Sequence, residues 1–147
     1  MMLTGHSHHT LDEKWRLIIP SKYRISLGER FYLSRSTESD DCFWIMPEKE
    51  FEKLIAIIKD RIKNDPNDKI WFKNFIASAQ DCEEEKQGRV LIPANLREII
   101  GIDETKVTLV GNINRLEVYS TSKWEAMQIK DYGEACKIVN NKYDFGI

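Results

Sequence analysis

The sequence predicts an α+β chain, mainly β, assembled from two copies of one small unit. Three observations carry that expectation. Asp12-Glu-Lys-Trp-Arg16-Leu-Ile-Ile-Pro20-Ser-Lys-Tyr-Arg24 returns 73 positions later as Glu85-Lys-Gln-Gly-Arg89-Val-Leu-Ile-Pro93-Ala-Asn-Leu-Arg97, and internal duplication is the simplest source of such a match. Gly28 and Gly101 extend it, Phe43 and Ile45 fall on Leu116 and Val118, and Phe51 falls on Trp124. Each copy holds an apolar triplet closed by proline, and a helical segment of a different kind lies between the copies.

Leu17-Ile-Ile19 and Val90-Leu-Ile92 read as short buried strands, each stopped at Pro20 or Pro93 because proline cannot donate to a ladder. Proline then opens a brief helix over 21–27 and 94–100, with Gly28 and Gly101 placed as C-terminal caps. Phe31-Tyr-Leu-Ser and Val107-Thr-Leu-Val alternate as strands, followed by Phe43-Trp-Ile-Met and Leu116-Glu-Val-Tyr. Between the copies, Phe51, Leu54, Ile55, Ile58 and Ile62 follow the spacing of an amphipathic helix over 48–63. Asn64-Asp65-Pro66 stops it, and Asp65 with Pro66 opens a second helix carrying Trp71, Phe72, Phe75, Ile76 and Ala79. A third helix is expected from Thr121 to about Val139, with Ser122 and Glu125 as a capping box, Trp124 and Met127 inward, and a weak point at Gly133. The resulting division is 6–50, 51–78, 79–122 and 123–147.

Each copy governs only about 45 residues, too few to bury a secure core alone, so the halves should share a core or pair with other chains. Composition is ordinary, 41% hydrophobic and 31% charged. No apolar run approaches the ~20 residues of a membrane span, and the start lacks the basic and apolar regions of a leader, which predicts a cytoplasmic protein. Cys42, Cys82 and Cys136 are odd in number and widely spaced, an arrangement expected of packing thiols rather than of disulfides or zinc ligands. His6, His8 and His9 lack acidic or cysteine partners at a metal-binding spacing and read as local hydrogen bonding or a frayed terminus.

Net charge is -2, yet residues 12–35 hold six basic side chains against three acidic ones, +3 locally and -5 elsewhere. A local basic surface on an acidic protein fits selective DNA binding better than general condensation; a solvated charged face is the alternative. The repeated acidic residue, three-residue gap and arginine stand just before each first strand. Arginine offers a planar fork that matches guanine O6/N7 or a phosphate, and a carboxylate across the turn lowers the entropy lost when the fork binds. Lys14 and Lys86 would add phosphate attraction. An ordinary surface ion pair is the competing reading for one copy; duplication in matching contexts favours the ligand site. Arg24 and Arg97 suit fold-stabilising or DNA contacts equally, and Trp15 reads either as a packing residue or as an aromatic wedge near DNA. No phosphate-binding loop, dinucleotide fingerprint, zincin motif or nucleophile elbow is present, so catalysis is not expected.

Gly5 through Arg24, Gln87-Gly-Arg89-Val-Leu-Ile-Pro93 with Leu96-Arg97, and Val110-Gly111 with Leu116-Glu-Val-Tyr119 leading to Trp124 resemble the MraZ family of bacterial transcriptional regulators over nearly the whole chain. The resemblance implies two SpoVT-AbrB repeats, a double swapped-hairpin AbrB-like barrel, and subunits that form ring-like homo-oligomers. It also implies binding to short G-rich direct repeats upstream of the family's own division and cell-wall operon, usually as repressors. The family's Asp-x-x-x-Arg motif maps to Asp12 and Arg16, and to position 85 with Arg89. Two departures stand out. Trp15 occupies a position that is usually glycine, which predicts a reshaped first loop or altered DNA affinity, and Glu85 replaces aspartate within the acidic run 81–85, which predicts a weaker second DNA contact or a second motif that serves mainly in assembly.

The expected function is therefore a sequence-specific, nucleoid-associated DNA-binding regulator acting on double-stranded promoter DNA. Its expected site is Asp12, Lys14, Arg16, Glu85, Lys86 and Arg89. No metal, cofactor, membrane or small-molecule substrate is expected. The alternative is an antitoxin-like interaction or assembly module without sequence-specific DNA binding.

Overall fold

A computed structural model of the chain describes residues 2–83 and 86–147. In order, the elements are β1 (His6–Thr10), β2 (Arg16–Ile18), α1 (Ser21–Leu27), β3 (Arg30–Arg35), β4 (Phe43–Pro47), α2 (Glu48–Arg61), α3 (Pro66–Ser78) and β5 (Gln80–Glu83). A 3-10 turn (Lys86–Gly88) then leads to β6 (Arg89–Leu91), α4 (Ala94–Ile100), β7 (Lys106–Gly111), β8 (Leu116–Ser120), α5 (Thr121–Ala126) and α6 (Tyr132–Lys142). β2 and β6, α1 and α4, and β4 and β8 keep the 73-residue offset.

The fold is α+β with antiparallel strands throughout. Six strands form one sheet in the order β1-β7-β8-β4-β3-β5, and β2 pairs with β6 in a separate ribbon. The six-stranded sheet ends at β1 and β5 and is not closed on itself. Its pairing crosses the duplication. β1 opens the first half yet lies against β7, from His6 opposite Val110 to Thr10 opposite Lys106. β5 opens the second half yet lies against β3. The halves meet again at the centre, where Phe43, Trp44 and Ile45 of β4 face Val118, Glu117 and Leu116 of β8.

β1 and β5 had no strand signature, because His-Ser-His-His-Thr and Gln-Asp-Cys-Glu lack an apolar face. Backbone pairing to the other half holds them instead. The histidines are accordingly not frayed: His8 Nδ1 lies 2.8 Å from Thr108 Oγ1, and His9 Nε2 lies 2.7 Å from Ser7 Oγ.

Central strands pack on both faces. Phe43, Ile45, Leu116 and Val118 join Leu17, Ile19, Val90 and Ile92 in one core shared by both halves. Cys42, Trp44, Met46 and Tyr119 point the other way, beneath Phe51 and Ile58 of α2 and Phe75 of α3. The two triplets differ from the buried strands that their apolar runs suggested. Leu17, Ile19, Val90 and Ile92 are buried, but the middle residues turn outward, with Ile18 55% and Leu91 53% exposed.

Helix boundaries follow local chemistry. Gly28 (φ 78°) and Gly101 (φ 122°) terminate α1 and α4, each N–H donating to the carbonyl of Arg24 or Arg97. Asp65 caps α3 by accepting from Asn67 N at 2.8 Å. On α3 only part of the apolar set turns inward: Phe75 is buried, whereas Trp71 and Ile76 are about four-tenths exposed. The long C-terminal helix is in fact two. Ser120, rather than Ser122, caps α5 by accepting from Lys123 N at 3.2 Å, and Asp131 restarts the chain as α6 by accepting from Glu134 N at 3.0 Å. Two side-chain caps within a dozen residues outcompete continuous helix, and Gly133 sits in the first turn of α6 rather than at a kink. Trp124 packs inward near Tyr119, while Met127 is 45% exposed.

At the β4–β8 seam, the buried Glu117 accepts from Arg115 Nε (3.1 Å), Tyr119 Oη (2.9 Å) and Asn112 Nδ2 (3.3 Å). Burial, reinforced by the Glu117 charge, pushes the Cys42 thiol up to about 12, and burial also raises the Tyr119 phenol. Cys42 therefore remains a thiol at neutral pH and presents no nucleophile. In iodoacetamide labelling of the native protein at pH 8, the half-buried Cys82 and Cys136 should be alkylated while Cys42 reacts only after denaturation. Labelling of native Cys42 at a rate similar to the other two would contradict this assignment.

Candidate nucleic-acid interface

The β2–β6 ribbon sets the site. Arg16 faces Leu91, Leu17 faces Val90, and Ile18 faces Arg89. Side chains alternate across a strand, so Leu17 and Val90 enter the core while Arg16, Ile18, Arg89 and Leu91 share the outer face. Two arginines that the sequence placed on separate turns thus stand diagonally on one small surface. A two-stranded ribbon of this kind fits within the ~12 Å width of a DNA major groove.

The turn leading into β2 is braced by one carboxylate. Asp12 Oδ1 accepts from the backbone N–H of Lys14 (2.8 Å) and of Arg16 (2.9 Å), while Oδ2 accepts from Arg16 Nε at 2.8 Å. The Asp12 N–H donates to the Arg16 carbonyl at 3.1 Å, closing the turn. Hydrogen bonding from the Arg16 N–H, with the guanidinium adding to it, holds the Asp12 carboxyl below its ordinary value. Among the described residues, nothing hydrogen-bonds Arg16 Nη1 or Nη2. The fork is oriented through Nε and keeps its far edge for a ligand. Lys14 is exposed beside it.

The second copy is described in part. Arg89 is half-buried on the ribbon, and Lys86 lies within the 3-10 turn. Glu85 and the side chain of Lys86 lie outside the described residues. The two turns share one left-handed position: Trp15 adopts φ 61° and its counterpart Gly88 φ 70°. Trp15 therefore keeps the glycine conformation, and the loop is not reshaped there. Matching hydrogen bonds hold both, Ile92 N to the Trp15 carbonyl at 3.0 Å and Ile19 N to the Gly88 carbonyl at 2.9 Å.

Each turn is roofed by the helix arginine of the opposite half. The Arg97 guanidinium lies 4.7 Å from the Trp15 ring centroid, and Arg97 Nε is buried without a hydrogen-bond partner among the described residues. Arg24 covers Gly88 so closely that an added Cβ would stand 2.6 Å from its Cδ. Arg24 and Arg97 thus serve the fold, and Trp15 packs partly buried against the shared core rather than projecting as a wedge.

Other charges are already engaged. Arg30 contacts Glu48 and Glu83 at 3.1 Å and Asp81 at 3.4 Å, so two members of the acidic run face an arginine. Arg35 pairs with Asp40. The local basic excess narrows to the ribbon, its turns and the exposed Lys22 of α1.

A protein-family model described as "MraZ protein, putative antitoxin-like" matches residues 2–70 and 75–136. The chain belongs to the MraZ family. A protein of Lachnoclostridium phytofermentans titled "Transcriptional regulator MraZ" is 35% identical over 99% of both chains. Proteins of the same title from Thermoanaerobacter sp. and Caldicellulosiruptor bescii are 40% identical over 84% of this chain and 85% of theirs, and 36% identical over 99% of this chain and 100% of theirs. In this MraZ-family chain, sequence reasoning did not place Ile18 and Leu91 on the outer face. The signal available was that they are the same position of the duplicated phrase.

Two outcomes test this geometry. A non-glycine residue in the left-handed region costs about 1–2 kcal/mol, so Trp15 needs the compensation that its packing and Arg97 supply. Urea unfolding of Trp15→Gly, Arg97→Ala and the double variant should give a coupling of about 0.5–1 kcal/mol; a coupling of zero would discard the stack as a structural element. Because the Asp12 pKa is depressed in the folded state, its contribution is present above the ordinary carboxylate value of 3.8 and is lost as pH falls through the lower folded value. Carboxyl-carbon NMR should place the Asp12 midpoint below 3.8, and a midpoint at or above that value would sink the brace.

Proposed function

We propose that this MraZ-family chain is a sequence-specific DNA-binding transcriptional regulator that reads promoter DNA with the outer face of the β2–β6 ribbon. The observation that carries the reading is the Asp12 brace, which orients Arg16 through Nε and leaves its Nη edge available. Arg89 on the same face supplies the second arginine. The regulator titles of relatives aligned over 84% to 99% of this chain support the same reading.

In this reading the protein represses its own division and cell-wall operon, acting in the nucleoid on short direct repeats. It is a ring-like homo-oligomer, and avidity across several ribbons compensates for weak individual contacts. Exposed Ile70 and Trp71 on α3, and Ile138 and Val139 on α6, are apolar surfaces suited to subunit contact. The strand exchange between 6–50 and 79–122 belongs to a double swapped-hairpin barrel, with 51–78 as the bridge and 123–147 as the C-terminal extension. Glu85 and Lys86 serve the second turn as Asp12 and Lys14 serve the first.

Fluorescence anisotropy with the duplex upstream of the coding sequence, against a scrambled duplex, tests the reading at several salt concentrations. The parent should discriminate between them and lose affinity steeply with salt. Arg16→Ala and Arg89→Ala should each cost about 1–3 kcal/mol of discrimination. Equal binding to both duplexes would favour an antitoxin-like assembly module instead.

A further inference from the structure

From the ribbon geometry we infer that Ile18 and Leu91 are specificity-determining residues that read the C5-methyl group of thymine in the major groove. The inference rests on the ribbon being the DNA-reading face. Both side chains occupy the same position of the duplicated phrase, and both are more than half exposed, 55% and 53%. Neither belongs to either core cluster.

A single exposed apolar side chain needs no explanation. Two at duplicated positions on the face that carries both arginines do. The core needs only Leu17 and Val90 from this ribbon, and a threonine at 18 and 91 would keep the strands at lower cost in exposed apolar surface. The register places Leu91 directly across from Arg16, and Ile18 directly across from Arg89. Each cross-strand pair therefore presents one donor fork and one apolar tip. That combination matches the two kinds of feature the major groove offers, the guanine O6/N7 acceptors and the thymine methyl. Arg16 and Ile18 stand about 7 Å apart along their strand, which spans about two base steps of 3.4 Å. The flanking positive charge selects a polyanion over a second copy of this chain as occupant, because two ribbons face to face would oppose arginine with arginine.

Uracil differs from thymine only by that methyl, so replacing thymines singly isolates the contact. The probe is a duplex that the full-length protein selects from a random-sequence pool, remade with uracil at one thymine at a time. For the parent, one or two positions should lose about fourfold in affinity, the factor expected for one buried methyl. In Ile18→Ala and Leu91→Ala the penalty at the matching position should vanish. It should persist in Ile25→Ala, a change at an exposed isoleucine of α1. Indifference of the parent to every replacement overturns the inference while leaving arginine-dependent binding intact. So does a penalty that survives both alanine variants, or a fall in oligomer mass in those variants without any uracil effect, which would make the patch a subunit contact. Failure to select any sequence would instead remove the underlying DNA-reading function.

Discussion

Leu17 and Val90 face each other in a ribbon of only three residue pairs, and their burial fixes the orientation of everything on its outer side. Two strands this short are not stable alone. They persist because Leu17 and Val90, with Ile19 and Ile92 just beyond, anchor them in the core shared by both halves. A slip of one residue would bury Arg16 or Ile18 and expose Leu17. The register is therefore enforced by the core, and the arginines are presented outward as its consequence. That same pairing brings each proline-led helix over the opposite turn, as the Arg97–Trp15 and Arg24–Gly88 contacts show.

The two turns solve one conformational problem in different ways. Gly88 adopts its left-handed angle freely but leaves no side chain for the roof to grip, so Arg24 descends to van der Waals distance of its backbone. Trp15 accepts strain at φ 61° and repays it with a ring that fills the space and meets the Arg97 cation. Gln87 adds a second left-handed residue to the second turn (φ 68°), whereas Trp15 is the sole such residue in the first. The copies share their anchoring hydrogen bonds and differ in backbone conformation.

Much of the fold was legible because it is written in period and punctuation. The proline-led helices, the capping glycines and the amphipathic run from Phe51 to Ile62 all rest on local chemistry, and each appears where expected. What stayed hidden depends on pairing partners. Neither His6–Thr10 nor Gln80–Glu83 carries an apolar alternation, and each becomes a strand only because the other half offers an edge. The outward turn of Ile18 and Leu91 escaped notice for a related reason: a three-residue apolar run reads as buried throughout, and only the alternation imposed by pairing separates its middle member. The Asp12–Arg16 brace was legible from spacing, whereas the convergence of Arg16 and Arg89 on one ribbon was not, since nothing local dictates that two copies pair with each other.

The central seam favours the pairing of unlike halves. Trp44 and Glu117 are equivalent positions of the duplication, and they face each other directly across β4 and β8. Cys42 and Arg115 are equivalent as well. In a seam made from two first halves, tryptophan would oppose tryptophan with no cation to stack on it; in one made from two second halves, a buried glutamate would oppose another, and like charges in a low-dielectric site repel strongly. The mixed seam instead sets Arg115 4.1 Å over the Trp44 ring while it bonds Glu117 and Glu38. Arg115 and Glu117 belong to the same half, so what the mixed seam adds is the Trp44 face on which that pair rests. Divergence at the axis thus makes the two halves complementary at β4 and β8.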